Sequence, residues 1–430
     1  MRWRNWDGRI RCQPAVYAAP RSEHELRRIM RQWSSEGRRV RVAGSGHSFT
    51  PLVESADALL WLGRLSGLHS VDAAAGTVTV WAGTTLRRLG RLLAAQGLAQ
   101  ENLGDIDAQS IAGAIATGTH GTGAALPPLA AQVQGLTLIT AAGECMDIDA
   151  QRDPDLLDAA RVSLGALGVI SRVRLQVMPA YRLHLRVRRG TLEECLERGD
   201  DYADQHRHFE FYWFPWSPVT QLKFTDVTGA AAQPRPWWNR AADEVLENGV
   251  FYVASEVCRR VPRWSPALSR LAARTVATGE AVDASARIFA TARRVRFHEM
   301  EYALPRAELA PALREIRRRI ERAGYQVHFP LECRYSAADT AWLSPAAGRD
   351  SAYIAVHMYR GMPFEAYFRD LEAVLRAHGG RPHWGKWHTP DPALYAAQYA
   401  HWHDFLRTRV RLDPDNRMLN PWLRRELGDA

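Results

Sequence analysis

Apolar residues recur along this chain with two different periods, and the switches between them mark out its elements. In SEHELRRIMRQWSSEG, residues 22 to 37, Leu26, Ile29, Met30 and Trp33 fall at helical spacing. Ser22 and Glu25 stand in capping-box register before them, and Gly37 supplies the stop. RRVRVAG, ALLWL (58 to 62) and GTVTVWAG (76 to 83) read as strands, followed by a helix with Leu86, Leu89, Leu92 and Leu93 on one face. GLTLITAAGECMDID reads as a hairpin turning at Ala142-Gly143, and GVISRVRLQVMP (168 to 179) alternates as a strand until its proline. The pattern is α+β, without internal repeats.

The texture changes after Pro179. Residues 181 to 400 carry more aromatics, as in RHFEFYWFPW (207 to 216), and long helices, as over 306 to 323; PRPWWNR (234 to 240) reads as a Pro/Trp-rich loop. The expected organisation is one domain over 1–179, a second over 180–410, and a tail over 411–430 that packs back on the first. A length of 430 residues agrees, since one core rarely organises that many.

Composition narrows the class. With 46% hydrophobic and 24% charged residues the chain reads as an ordinary soluble protein. No apolar run is long enough to span a bilayer, and MRWRNWDGRIRCQP lacks the apolar centre of a signal peptide, so the expected location is the cytoplasm, with peripheral membrane association left open. Cys12, Cys145, Cys195, Cys258 and Cys333 show neither paired spacing nor CxxC, which argues against a disulfide framework and a zinc ribbon. The net charge of +9 is carried mostly by arginine on solvated helix faces such as LREIRRRIER, and no nucleic-acid motif accompanies it.

Chemistry concentrates in two glycine-rich stretches. VAGSGHSF (42 to 49) ends a strand, but Phe49 stands where a Rossmann fingerprint needs its third glycine, and no long helix follows. The Gly-Lys-Ser/Thr of a Walker loop is also absent. What remains is a turn that exposes backbone amides, suited to a pyrophosphate, with His47 beside it. ENLGDIDAQSIAGAIATGTHGTG (101 to 123) is a second candidate cradle, free of formal charge from Ser110 on, whose small residues let backbone approach a ligand. Each motif alone reads as tight turns; together they suit an extended dinucleotide.

These two stretches, with SLGALGVIS, FPLECRYS and GRPHWGK, resemble the FAD-dependent oxidoreductases of the vanillyl-alcohol oxidase superfamily over essentially the whole chain. The resemblance is to the sugar-lactone branch, the gulonolactone, galactonolactone and D-arabinono-1,4-lactone oxidases or dehydrogenases, with the related alditol oxidases. It implies the two-domain fold of that superfamily, an N-terminal FAD-binding domain and a C-terminal substrate domain over the flavin. By position, Ala43, Gly44, Ser45, Gly46, His47 and Ser48 would wrap the pyrophosphate and reach the flavin. His47 matches the histidine that bonds covalently to the flavin 8α-methyl in many relatives. Asp107, Ser110, Gly113, Thr117, Gly118, His120 and Gly121 match the second cradle, with Ser110 also near the substrate. Gly168 and Ile170 match the adenine side. No cysteine lies in the second cradle, so one covalent link is the most implied.

In the second domain Glu332 and Arg334 are two apart in PLECRYS, so on a strand they share a face and Cys333 points away. Such a pair can hold a polyhydroxylated substrate and stabilise developing charge; the alternative is a structural ion pair. Lys386 matches the family's HWxK motif. His357 and Tyr359 share a strand face that in relatives meets the substrate. His383, His388, His401 and His403 lack the carboxylate or cysteine that would complete a metal set. The implied reaction is FAD-dependent oxidation of an aldono-1,4-lactone at the hydroxyl next to the carbonyl. Hydride goes to flavin N5, with Glu332, Arg334 and Lys386 as catalytic groups and O2 or another acceptor completing turnover. The alternative is an alditol oxidase acting on a terminal hydroxyl. Oligomeric state stays open.

Overall fold

Strand β1 (Val16–Ala18), β2 (Val40–Ala43) and β3 (Ala58–Trp61) run parallel in the order β1-β3-β2. Parallel neighbours need a crossover, and the helix Glu23–Ser35 supplies it between β1 and β2. Its expected stripe, Leu26, Ile29, Met30 and Trp33, is buried. Ser22 Oγ accepts the Glu25 N–H at 3.1 Å, and the Glu25 carboxylate accepts the Arg21 N–H at 2.7 Å. Gly37 ends the helix at φ 71°, a left-handed conformation that glycine adopts without strain. The computed structural model describes residues 2–233, 237–290 and 295–428, with backbone alone along 237–248.

A five-stranded antiparallel sheet follows, built from β4 (Leu68–Asp72), β5 (Thr77–Trp81), β6 (Val133–Ile139), β7 (Cys145–Asp149) and β8 (Val169–Gln176) in the order β7-β6-β8-β5-β4. The β6–β7 hairpin turns where expected: Gly143, at φ 78°, donates its N–H to the Thr140 carbonyl at 2.9 Å. The remainder of the chain forms an eight-stranded antiparallel sheet of β9 (Arg182–Thr191), β10 (His208–Trp213), β11 (Val219–Thr228), β12 (Gly279–Ala284), β13 (Phe297–Pro305), β14 (Leu331–Ser336), β15 (Ser351–Tyr359) and β16 (Arg381–Pro382). Its order is β12-β9-β11-β10-β14-β15-β13-β16, so the central strands β14, β15 and β13 lie side by side.

Two hydrophobic cores result. One gathers the helix Glu23–Ser35, the helix Leu86–Ala94 and the five-stranded sheet, and it also takes in Trp384, Tyr395, Tyr399, Trp402, Phe405 and Leu423 from the C-terminal end. The other packs β10, β13, β14 and β15 against the helices Leu309–Ala323 and Glu365–Ala377. The chain therefore returns to the first core at Ala341 and Leu343 and again from Trp384 onward, before residue 411. RHFEFYWFPW contributes a buried strand, β10. One further detail differs from the sequence reading. The segment expected as a loop over 234–240 starts the helix Trp237–Arg260 at Trp237, because a proline just before a helix does not stop it; residues 234–236 lie outside the described residues.

Candidate active site

Two chambers adjoin, the first set against the first core and the second reaching from it to Phe49 and Lys386. The first, about 930 Å³ and open to solvent, is lined by residues 41 to 48, by Gln109, Ser110, Gly113 and Thr117, and by Gly165, Gly168 and Ile170. The second, about 890 Å³, is lined by Trp6, Asp107, His383, Gly385 and Lys386 and shares His47, Ser48, Gln109 and Thr117 with the first. His47 therefore stands where the chambers join.

Backbone geometry makes the first chamber a cradle. The N–H groups of residues 44 to 48 make no hydrogen bond among the described residues, so a row of donors is left for whatever enters. A Cβ at Gly44 would run into Ser110 Oγ, and one at Gly113 would lie 3.0 Å from the same atom. Gly46 holds φ 72°. Arg41 brings a buried positive charge to this wall, its guanidinium donating to the carbonyls of Leu52 at 2.7 Å and Leu164 at 2.8 Å, and to that of Met418. Burial pulls its pKa down to about 10, which leaves it charged at neutral pH.

The second chamber is organised by charge. Lys386 Nζ lies 2.5 Å from Glu299 Oε1, 3.8 Å from Glu301 Oε2 and 5.6 Å from the centre of the Phe49 ring. Burial opposes its charge, but Glu299 and Glu301 outweigh burial and raise its pKa. Both carboxylates are pushed up by burial and pulled down further by neighbours, Glu299 by Lys386 and His357, Glu301 by His120 and Lys386. His383 Nδ1 accepts the Gly385 N–H at 3.0 Å, which leaves the proton of this neutral ring on Nε2; burial holds its pKa down to about 3. Burial and the Lys386 charge hold His47 down to about 4.

Glu332 and Arg334 share a face of β14 as expected and are in direct contact. The guanidinium also meets Glu210 at 3.0 Å and Asp105 at 3.3 Å, and Glu332 accepts the Tyr212 hydroxyl at 2.6 Å. Lys223 closes this cluster on Glu210 at 2.9 Å. Asp105 lies two residues before Asp107 in the chamber wall, and its charge also acts on Lys386.

Of the residues singled out from sequence, Ala43 to Ser48, Asp107, Ser110, Gly113, Thr117, Gly168, Ile170 and Lys386 line the chambers. Gly118, His120 and Gly121 are set behind the wall. A Cβ at Gly118 would press on Pro345 and one at Gly121 on Leu103, while His120 donates to Gly121 at 2.8 Å and bonds Glu301 at 3.1 Å. The Asp107 carboxylate is taken by a two-pronged pair with Arg87, at 2.9 and 2.7 Å. His357 is one step removed, 3.5 Å from Glu299, and the Tyr359 hydroxyl donates to Glu256 at 2.7 Å on the helix Trp237–Arg260. His383, His388 and His401 turn to separate partners, and no group of three His, Cys, Asp or Glu side chains suited to a metal occurs among the described residues. The five cysteines are unpaired.

Sequence reasoning missed Glu299, Glu301, Glu210, Asp105 and Trp6. Glu299 and Glu301 had the same signal as Glu332 and Arg334, charges two apart on a strand. Trp6 had none, being 41 residues from its partner His47.

Comparisons with known proteins agree with this geometry. The D-arabinono-1,4-lactone oxidase family model matches residues 173–426, and an FAD binding domain model matches residues 14–149. The chain is 42% identical to L-gulono-1,4-lactone dehydrogenase of Mycobacterium tuberculosis, over 99% of each chain. It is 32% identical to L-gulonolactone oxidase of Scyliorhinus torazame, over 97% of this chain and 96% of that one. Among solved structures, cholesterol oxidase from B. sterolicum superposes with a TM-score of 0.84 at 19% identity, covering 99% and 96% of the two chains, a likeness of fold. No described helix is long and apolar enough to cross a membrane.

Proposed function

The chain belongs to the D-arabinono-1,4-lactone oxidase family, and from that premise we propose that it oxidises an aldono-1,4-lactone at the hydroxyl next to the carbonyl, with FAD in the two chambers. The observation that carries the reading is the row of unpaired N–H groups over 44 to 48, continuous with a chamber that ends at a charged lysine. The fit to FAD is good: donors and the Arg41 charge suit a pyrophosphate, Val42, Leu52, Leu62 and Ile170 suit flat rings, and the glycines leave room where a Cβ would intrude. When bound, FAD supplies the hydride acceptor.

The chain's own residues account for the rest. Lys386, kept charged by Glu299, brings positive charge to the hydroxyl oxygen on the carbon being oxidised. Glu332 orients substrate hydroxyls, and Arg334 keeps Nη1 without a hydrogen bond among the described residues, available to a substrate oxygen. His47, held neutral by burial and by the Lys386 charge, would hold the flavin where the chambers meet, with a ring nitrogen suited to bond its 8α carbon.

The test is anaerobic mixing of the yellow protein with L-gulono-, L-galactono- and D-arabinono-1,4-lactone and, in parallel, with xylitol and sorbitol. Bleaching by a lactone is expected; bleaching by the polyols alone overturns the lactone reading in favour of an alditol oxidase. Colour that returns on admitting air identifies oxygen as acceptor, and colour that returns only with an added dye identifies a dehydrogenase. Acid precipitation checks the His47 bond, which holds if the colour stays in the pellet.

A further inference from the structure

The first dozen residues touch both halves of the site. Strands Trp3–Arg4 and Arg11–Cys12 pair antiparallel, and the ribbon they form lies on the glycine turn. Trp6 N–H donates to the Gly46 carbonyl at 2.7 Å, Asn5 Nδ2 to that of Ser48 at 2.9 Å, and an Arg9 terminal nitrogen to that of Phe49 at 2.7 Å. The ribbon thus engages carbonyls of the turn and leaves the N–H groups of 44 to 48 for the chamber. Its far end is anchored by Asp7, 2% exposed, which accepts His298 Nδ1 at 2.9 Å on β13, one residue before Glu299.

Between these anchors the Trp6 indole stacks on the His47 ring, with centroids 5.9 Å apart and planes at 25°. Phe297 at 5.2 Å and Phe49 at 6.1 Å meet the same indole edge-on and fix its orientation. The His47 ring makes no hydrogen bond among the described residues, so aromatic contact is what holds it, and burial with the Lys386 charge keeps it neutral. Trp6 also lines the second chamber beside His47.

We propose that Trp6 is a positioning residue for the flavin, acting through His47: the N-terminal ribbon straps the indole against the imidazole and sets that ring at the junction of the two chambers. This rests on the reading that FAD occupies the chambers. Stacked aromatic pairs contribute enough that losing one should lower retention of a bound group about 2- to 10-fold.

The experiment measures flavin per chain by absorbance in the purified holoprotein after exhaustive dialysis, and again in the acid pellet. Trp6→Leu and Trp6→Met, the second keeping bulk without a ring, are each expected to lose flavin about 2- to 10-fold against the wild type, with Trp6→Phe recovering most of it. In a His47→Ala background the Trp6 substitutions should make no further difference. Wild-type retention in the Leu and Met variants overturns the proposal, and so does an equal loss with and without His47, which would make Trp6 a prop for the fold alone. Where the Leu variant does not fold, the Met variant decides. A wild-type protein that takes up no FAD overturns both this proposal and the reading beneath it, whereas flavin in the wild type with unaffected variants overturns only this one.

Discussion

A buried ammonium keeps its charge only where carboxylates replace the water it has lost, and distance decides which carboxylate does so for Lys386. Glu299 touches it at 2.5 Å, whereas Glu301 lies 3.8 Å off and shares its charge with His120. Glu299→Gln keeps the shape of the side chain and removes the charge, so the Lys386 pKa must fall. If turnover needs the Lys386 proton, the basic limb of the kcat–pH profile is therefore expected to move to lower pH, with flavin per chain unchanged. Glu301→Gln should move it less. An unshifted limb in Glu299→Gln would mean that Lys386 is not the titrating group.

Elements show why some of this was legible in the sequence and some was not. The Glu23–Ser35 helix and the β6–β7 hairpin announced themselves because the first has one buried face and the second an obligatory turn glycine, and periodicity or φ leaves a local trace. Strands β13 and β14 are both buried on both faces, so their alternation is lost; the charge pair of β14 stood out through the family motif, whereas Glu299 and Glu301, at the same spacing, sat unnoticed in FHEMEYALP. Long-range docking is equally silent for the ribbon on the glycine turn, whereas the tail over 411–430 is expected back on the first domain. Asn420 shows what that docking involves. Its Oδ1 accepts the Leu423 N–H at 2.9 Å to cap the helix Pro421–Leu427, while its Nδ2 donates to the carbonyls of Pro51 at 2.8 Å and Glu54 at 2.9 Å, just beyond the glycine turn. Asn420→Ala removes a cap and leaves two carbonyls without their donor, a loss of roughly 2–3 kcal/mol. Urea unfolding should show that loss as a lower midpoint with the slope unchanged; an unaltered midpoint would mean that the C-terminal helix contributes little.

At the scale of the whole molecule, the two cores and the chambers beside them bury histidines in places where charging them is unfavourable. Burial lowers the pKa of His47, His208 and His328 to about 4 and of His383 to about 3, all from 6.5. The unfolded chain takes up these protons first as pH falls, so their contribution is fully present above about 6.5 and is lost as pH falls toward 4. At pH 5 the loss is of order 1–2 kcal/mol for each ring. Asp339 works the other way: burial raises it to about 6 from 3.8, so its folded form keeps a proton that the unfolded chain has already released in that interval. Asp413, raised by burial, and His388, where burial is outweighed by Glu426 and the pKa raised, act in the same sense as Asp339. Four strongly lowered histidines therefore stand against three raised groups, and a net fall in stability on mild acidification is expected. The net charge of +9, which grows as groups protonate, adds repulsion in the same direction. Urea midpoints of the flavin-loaded protein should therefore hold steady from pH 8 to 7 and drop steeply from 6.5 to 5. His328 makes the cleanest check, since it lines neither chamber and its buried Nδ1 has no hydrogen-bond partner among the described residues. His328→Gln should flatten that drop by about one histidine's share, and an unchanged slope would show that this ring is already open to protons in the folded state.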